Sequence, residues 1–231
     1  MRSIVGIAAV LSIAALVAGC SSSPTEPASP TSTAIAGNVT AFAAASLKST
    51  FTDLGAQFEK DNPGTKVTFN FAGSSDLVAQ LTQGAPADVF ASADTNNMTK
   101  AVDAGVVTGE PVNFATNALT IVTPPGNPKG VASFADLAKP GTQVVVCAPQ
   151  VPCGSATEKA EKATGATLTP ESEETAVTDV LGKITSGQAD AGLVYVTDAK
   201  GAGEKVTAIP FPESSGAVNS YPIAVLEGST N

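Results

Sequence analysis

Hydrophobic residues in this chain occur as short β-rich runs, and the stretches between several of these runs have helical periodicity. The runs are Val39–Ala43, Lys66–Phe71, Asp88–Ser92, Ala118–Thr123, Gln143–Cys147 and Gly192–Val196. Alternation of this kind is typical of an α/β fold, and we predict that its strands are largely parallel.

The clearest helical pattern covers Ser46–Lys60, where apolar residues recur at intervals of four, three and four and so share one helix face. These residues are Leu47, Phe51, Leu54 and Phe58. Asn62-Pro63-Gly64 then ends the predicted helix. Similar patterns predict helices over Ser75–Gln83, Thr95–Ala104 and Glu173–Ser186, each with a glycine directly after it.

A strong loop signal, Pro124–Pro128, lies near the middle of the foldable part. It predicts a change from one lobe to another. We therefore divide residues 37–231 into a lobe of about 37–117, completed by a C-terminal return, and a second lobe of about 118–209.

The first 36 residues have the layout of a leader and a tether. Ile4–Ala18 is an apolar run preceded by Arg2, which predicts a secretory signal peptide over residues 1–19. Leu16–Cys20 resembles a bacterial lipobox, so Cys20 is the predicted lipidation site. An ordinary signal peptide with an incidental cysteine is the alternative. The rest of residues 20–36 is rich in Ser, Pro and Thr, which is typical of a flexible tether.

Charge and composition exclude several classes of function. The net charge is −9 and Arg2 is the only arginine, so no basic surface for nucleic acid is expected. The sequence contains no histidine, which removes the usual general base and the usual transition-metal ligand. Pairs such as Ser46 with Lys48 occur by chance in a chain of this composition. A serine-dependent enzyme is therefore a weak alternative.

Three turns that carry serine or glycine are predicted to lead into helices. They are Ala45–Leu47, Gly73–Asp76 and Pro152–Ser155. A helix N-terminus exposes N–H groups that have no partner within the helix, and it carries partial positive charge, so it attracts anions. The serines could equally be plain N-caps, because serine is favoured there in any helix.

Several longer blocks, in this order, resemble the periplasmic molybdate-binding proteins of ABC transporters. The resemblance runs from about Val39 to Leu226. Its most specific blocks are Ala41–Leu47, Phe71–Leu77, Gly84–Asp94, Val151–Gly154, Ala189–Tyr195 and Tyr221–Val225. That family normally continues through a C-terminal helical segment where this sequence stops, so this chain is a fragment or a short member.

The resemblance implies a two-lobed periplasmic-binding-protein fold of type II, with the oxyanion held in the cleft between the lobes. Carried over by position, the ligand-binding residues are Ser46, Ser74, Cys153, Val177 and Tyr195, all acting as hydroxyl or backbone N–H donors. The implied ligand is molybdate or tungstate, and the implied partner is the membrane permease of an ABC importer. We expect a monomer that lies outside the cytoplasm and is anchored to the cell membrane by the lipid on Cys20. No cofactor and no cation site are expected.

Donor-only coordination agrees with the chemistry of the ligand. A fully deprotonated tetrahedral dianion only accepts hydrogen bonds, whereas protonated phosphate would need an acceptor in the pocket. Sulfate has the same charge and shape but is smaller, so binding of sulfate or another oxyanion stays open. So does a surface protein that keeps the fold without the site.

Once Cys20 is lipidated, the remaining cysteines are Cys147 and Cys153. Both would lie in an oxidising compartment, which permits a disulfide between them. Two buried free thiols are the alternative.

Overall fold

The computed structural model describes residues 35–230. The predicted signal peptide, the lipidation site at Cys20 and nearly all of the predicted tether lie outside the described residues. Within the described part, no helix is long and apolar enough to cross a membrane. The predicted α/β fold class is confirmed, with two separate five-stranded sheets.

The first sheet has the strand order β2-β1-β3-β10-β4. Its strands are β1 (Gly37–Ala44), β2 (Thr65–Ala72), β3 (Val89–Ala91), β4 (Val107–Asn117) and, from the far end of the chain, β10 (Asn219–Leu226). β1 pairs in parallel with β2 and β3, whereas β10 runs antiparallel to β3 and β4. The chain therefore leaves this sheet after β4 and returns with β10, which lies between β3 and β4.

The second sheet has the order β7-β6-β8-β5-β9. Its strands are β5 (Leu119–Thr123), β6 (Val144–Cys147), β7 (Ser172–Glu174), β8 (Ala191–Tyr195) and β9 (Thr207–Ile209). β6 is parallel to β7 and β8, while β5 is antiparallel to β8 and β9. In each sheet four of the five strands run in the same direction, and only β10 and β5 are reversed, so the prediction of largely parallel strands is confirmed. The strands β4, β7, β9 and β10 have no counterpart among the predicted runs.

Among residues 35–230, six α-helices connect and cover the strands. They are α1 (Lys48–Asp61), α2 (Ser74–Thr82), α3 (Thr95–Asp103), α4 (Pro152–Thr164), α5 (Val177–Thr185) and α6 (Val196–Ala202). Three of the predicted helices agree with α1, α2 and α3 to within two residues at each end. The fourth, Glu173–Ser186, is wrong at its start, because its first residues belong to the edge strand β7.

Burial on α1 differs from the apolar face that its periodicity predicts. Leu47 is buried in the 3₁₀ turn Ala45–Leu47 that precedes the helix. Phe51 is half-buried and contacts the rings of Phe69 and Phe114. Leu54 and Phe58 are 57% and 39% exposed. Periodicity predicted the helix but not how much of its apolar face is covered, because burial depends on neighbouring elements.

Each sheet has its own hydrophobic core. The core of the second sheet is a continuous cluster that includes Ile121, Val145, Val180 and Leu193. The first sheet packs around two smaller clusters, one with Leu77 and Phe90 and the other with Ala43, Leu47 and Tyr221. Both sheets therefore have rigid supports for the loops that meet between them.

Candidate functional site

A small cavity lies where loops and helix starts of the first sheet meet those of the second. From the first sheet it is lined by Ala44, Ala45, Ser46, Gly73, Ser74 and Ala93, and from the second by Val151, Pro152, Cys153, Val177 and Tyr195. The structure thus brings all five predicted ligand-binding residues to one cavity, from five separate segments of the chain. None of the lining residues carries a charged side chain.

Two serine hydroxyls form the first-sheet wall. Ser46 lies in the 3₁₀ turn that follows β1, and its Oγ is 3.1 Å from the hydroxyl of Tyr221. Ser74 is the first residue of α2, and its Oγ accepts a hydrogen bond from the Ala93 N–H at 3.0 Å. Neither side chain caps a helix. The N-cap interpretation of these serines is therefore wrong.

Two helix starts form most of the second-sheet wall. Cys153 follows Pro152 in the first turn of α4, and Val177 is the first residue of α5. The first N–H groups of a helix have no acceptor within that helix. With α2, three helix N-termini border the cavity, and each adds partial positive charge to it. The serine of the third predicted turn, Ser155, lies further along α4 and does not line the cavity.

A disulfide joins Cys147, the last residue of β6, to Cys153. The first turn of α4 packs closely against the segment between the two cysteines, because a β-carbon on Gly154 would lie 1.9 Å from the Ala148 carbonyl oxygen. The bridge ties the start of α4 directly to the end of a core strand.

Tyr195 closes the second-sheet wall. It is the last residue of β8 and is 1% exposed, and its hydroxyl oxygen accepts a hydrogen bond from Asn219 Nδ2 at 2.7 Å. Burial raises the pKa of Tyr195 well above its usual value of 10.0. The side chain is therefore a neutral phenol whose own proton remains available.

A much larger groove adjoins the cavity and shares Ala45 and Ser46 with it. Three lysines line this groove, namely Lys48, Lys200 and Lys205, together with the carboxyl groups of Asp53 and Asp198. Burial raises the pKa of Asp198 from 3.8 to about 7, and a hydrogen bond from the Tyr195 N–H opposes this rise. The groove is open and bears charges, whereas the cavity is narrow and bears none.

The sequence reasoning missed the polar residues behind the hydroxyls: Asn117, Asn219 and Tyr221. Tyr221 opens one of the blocks that carry the resemblance, but its contact with Ser46 spans 175 residues of sequence. No local pattern marks such a contact. From the sequence alone, a buried Tyr or Asn with such a role cannot be distinguished from an ordinary core or turn residue.

Comparison with known proteins identifies relatives over most of the chain. The model of the bacterial extracellular solute-binding protein family matches residues 39–231. The molybdate-binding protein ModA of Mycobacterium tuberculosis (strain ATCC 25618 / H37Rv) is 57% identical over 96% of this chain and 85% of its own length. The ModA of Escherichia coli (strain K12) is 35% identical, with 84% and 79% covered.

A solved structure agrees in fold. The periplasmic molybdate-binding protein of Azotobacter vinelandii aligns with a TM-score of 0.72 at 22% identity, over 84% of this chain and 87% of that one. The curated relatives are named as binding proteins, which confirms the prediction of a binding protein rather than an enzyme, and of one that works outside the cytoplasm. The chain belongs to the bacterial extracellular solute-binding protein family, in which ModA proteins are its relatives.

Proposed function

We propose that this protein captures molybdate, and also tungstate, outside the cytoplasmic membrane and delivers it to the permease of an ABC importer. One observation carries the proposal. The donors Ser46, Ser74, Cys153, Val177 and Tyr195 come from five separate segments, yet they line one uncharged cavity. Each sheet with its helices would form one of the two lobes that bind the ligand between them.

The donor set favours an anion that carries no proton. Three hydroxyl groups and the N–H groups at the starts of α2, α4 and α5 can all donate, and no carboxylate lines the cavity. A dianion in such a place gains charge-assisted hydrogen bonds, which contribute ~1.5–3 kcal/mol each. A protonated phosphate would leave its own proton unsatisfied there.

Anchoring and assembly complete the proposal. The lipid would be attached at Cys20, residues 20–36 would act as the tether, and residues 37–231 would bind the ligand as a monomer. A tether of this kind keeps the protein close to the permease while leaving it free to rotate. Metabolic labelling with a fatty acid tests the anchor, and a Cys20→Ser variant should lose the label.

A thermal-shift panel tests the choice of ligand. Molybdate and tungstate should raise the melting temperature in a concentration-dependent way, while sulfate, phosphate and common organic acids should not. Calorimetry should then give one ion bound per chain. If sulfate binds as tightly as molybdate, the protein is a general sulfate-type oxyanion carrier. If no oxyanion stabilises it, the proposal fails.

A further inference from the structure

Behind the cavity, a buried amide bridges the two sheets. Asn219 is the first residue of β10 in the first sheet and is 3% exposed. Its Nδ2 donates to the Tyr195 hydroxyl oxygen at 2.7 Å and to the Pro152 carbonyl oxygen at 3.1 Å. Both acceptors belong to residues that line the cavity from the second sheet.

These contacts fix which way the amide points and what Tyr195 can do. A carbonyl oxygen such as that of Pro152 can only accept, so the amide atom facing it must be the nitrogen. That nitrogen has two protons, and the second is directed at the Tyr195 oxygen. The Tyr195 proton therefore cannot be given to Asn219. It remains available to the Tyr221 hydroxyl, with which Tyr195 also shares a hydrogen bond, and to whatever occupies the cavity.

A parallel chain of donors lies behind Ser46. The Ala118 N–H, which can only donate, bonds to Oδ1 of Asn117 at 3.1 Å, so the Nδ2 of Asn117 faces the other way. That nitrogen lies 2.7 Å from Thr197 Oγ1 and 3.4 Å from the Tyr221 hydroxyl. Tyr221 thus accepts from Asn117, and its hydroxyl lies 3.1 Å from Ser46 Oγ, where either hydroxyl can be the donor.

Both phenols keep their protons at any pH at which the protein works. Burial raises the pKa of Tyr195 and of Tyr221 above the usual value. The direction of donation is therefore set by the amides and not by ionisation.

We propose that Asn219 is a specificity-determining positioning residue, which holds the Tyr195 hydroxyl oxygen as an acceptor, keeps the Tyr195 proton available to the ligand and so excludes oxyanions that carry a proton. This inference rests on the proposed function and adds a cause for its selectivity.

The first experiment is a double-mutant cycle measured by calorimetry with molybdate. Asn219→Ala should weaken binding about five- to tenfold, because Tyr195 is no longer held as an acceptor by the amide. In the Tyr195→Phe background the same substitution should change affinity less than twofold. Asn70→Ala, which removes a part-buried amide bonded to Gln80 away from the cavity, is the matched control and should have no effect.

The second experiment reverses the direction of donation. In Asn219→Asp, a carboxylate accepts the Tyr195 proton, so the phenol presents a lone pair to the cavity. Molybdate affinity should fall at least about a hundredfold, and the ratio of phosphate to molybdate affinity should rise. An equal loss from Asn219→Ala with and without the Tyr195 hydroxyl, or an unchanged ratio in Asn219→Asp, would overturn the proposal.

A ligand-free measurement separates this inference from the proposed function. The chain has two tyrosines and no tryptophan, so in the Tyr221→Phe background Tyr195 alone gives the tyrosine Raman doublet, whose intensity ratio differs between a donating and an accepting phenol. Asn219→Asp should move that ratio toward the donor limit. An unmoved ratio refutes the positioning role. A protein that binds no molybdate but shows the shift refutes only the proposed function.

Discussion

The two walls of the cavity supply donors in different ways. The first-sheet wall presents two side-chain donors, the hydroxyls of Ser46 and Ser74, which directly follow β1 and β2, beside the N-terminus of α2. The second-sheet wall relies on the backbone at the starts of α4 and α5, with Tyr195 as its one side-chain donor. Substitution by alanine deletes a side-chain hydroxyl but leaves the backbone N–H in place. The first wall is therefore sensitive to side-chain chemistry and the second to backbone position.

Contact between the walls gives the largest expected effect on oxyanion affinity. A β-carbon on Gly73 would lie 2.0 Å from the carbonyl oxygen of Thr175, which follows β7 in the second sheet. Gly73→Ala should therefore hold the walls apart and weaken binding more than about a hundredfold. Overpacking costs ~1–3 kcal/mol even where side chains adjust, and a backbone carbonyl adjusts less.

Calorimetry measures that loss, and urea unfolding of the ligand-free protein shows whether the fold survives. Gly216→Ala is the matched control, because nothing lies within 4 Å of the added carbon. Full affinity in Gly73→Ala would mean that the walls need not approach as closely as they do here.

Removal of single hydroxyl donors should come next in size. Ser46→Ala and Ser74→Ala each delete a hydrogen bond to a charged ligand and leave the backbone in place, so affinity should fall about tenfold to a hundredfold. Tyr195→Phe should behave similarly from the opposite wall. Titration of each variant with molybdate is the measurement. Unchanged affinity in both serine variants would limit the first wall to a structural role.

The disulfide tests whether the second wall depends on backbone position. Replacing Cys147 and Cys153 together by serine removes a bridge between residues 6 apart in sequence, and should cost about 2 kcal/mol of unfolding free energy. The affinity for molybdate should fall less than in Ser46→Ala or Ser74→Ala, because the Cys153 N–H is displaced but not deleted. Unfolding curves and titrations on the same samples separate the two effects. Full affinity would leave the bridge a stabilising role only.

Sequence reasoning reached the residues of the cavity because short blocks carry them. Ser46 and Ser74 stand in turns between a strand run and a helical pattern, and the resemblance supplied Val177 and Tyr195. Single-residue spacing could not reveal that Asn219 bridges Tyr195 and Pro152, since partners 24 and 67 residues away meet only after both sheets have formed. The exposed Leu54 shows the same limit, because periodicity identifies the apolar face of a helix but not whether another element packs against that face.

A half-buried acid distinguishes the second wall further and gives the smallest expected effect on affinity. Asp198 accepts a hydrogen bond from the Tyr195 N–H at 3.0 Å, and burial raises its pKa from 3.8 to about 7. Below pH 7 this side chain is largely neutral in the folded protein. Asp198→Asn, which is neutral and of the same shape, should therefore bind molybdate almost as the parent does at pH 6.

Its effect on stability has a definite sign. Below about pH 4 the carboxyl is protonated whether the chain is folded or unfolded, so it adds no pH dependence. Between about pH 4 and pH 7 the folded state holds a proton that the unfolded state has lost, so stability falls as pH rises, by no more than ~1.4 kcal/mol per pH unit. Above pH 7 both states are ionised and the decline stops.

Urea unfolding of the parent and of Asp198→Asn across pH 4–8 isolates this contribution, because the other carboxyl groups are common to both proteins. The free energy of unfolding of the variant, relative to the parent, should rise from pH 4 to about pH 7 and then level off. If the difference in unfolding free energy does not change with pH, Asp198 keeps an ordinary pKa in the folded protein. The Tyr195 N–H then donates to an ionised carboxylate. The second wall would then carry a negative charge behind its one side-chain donor.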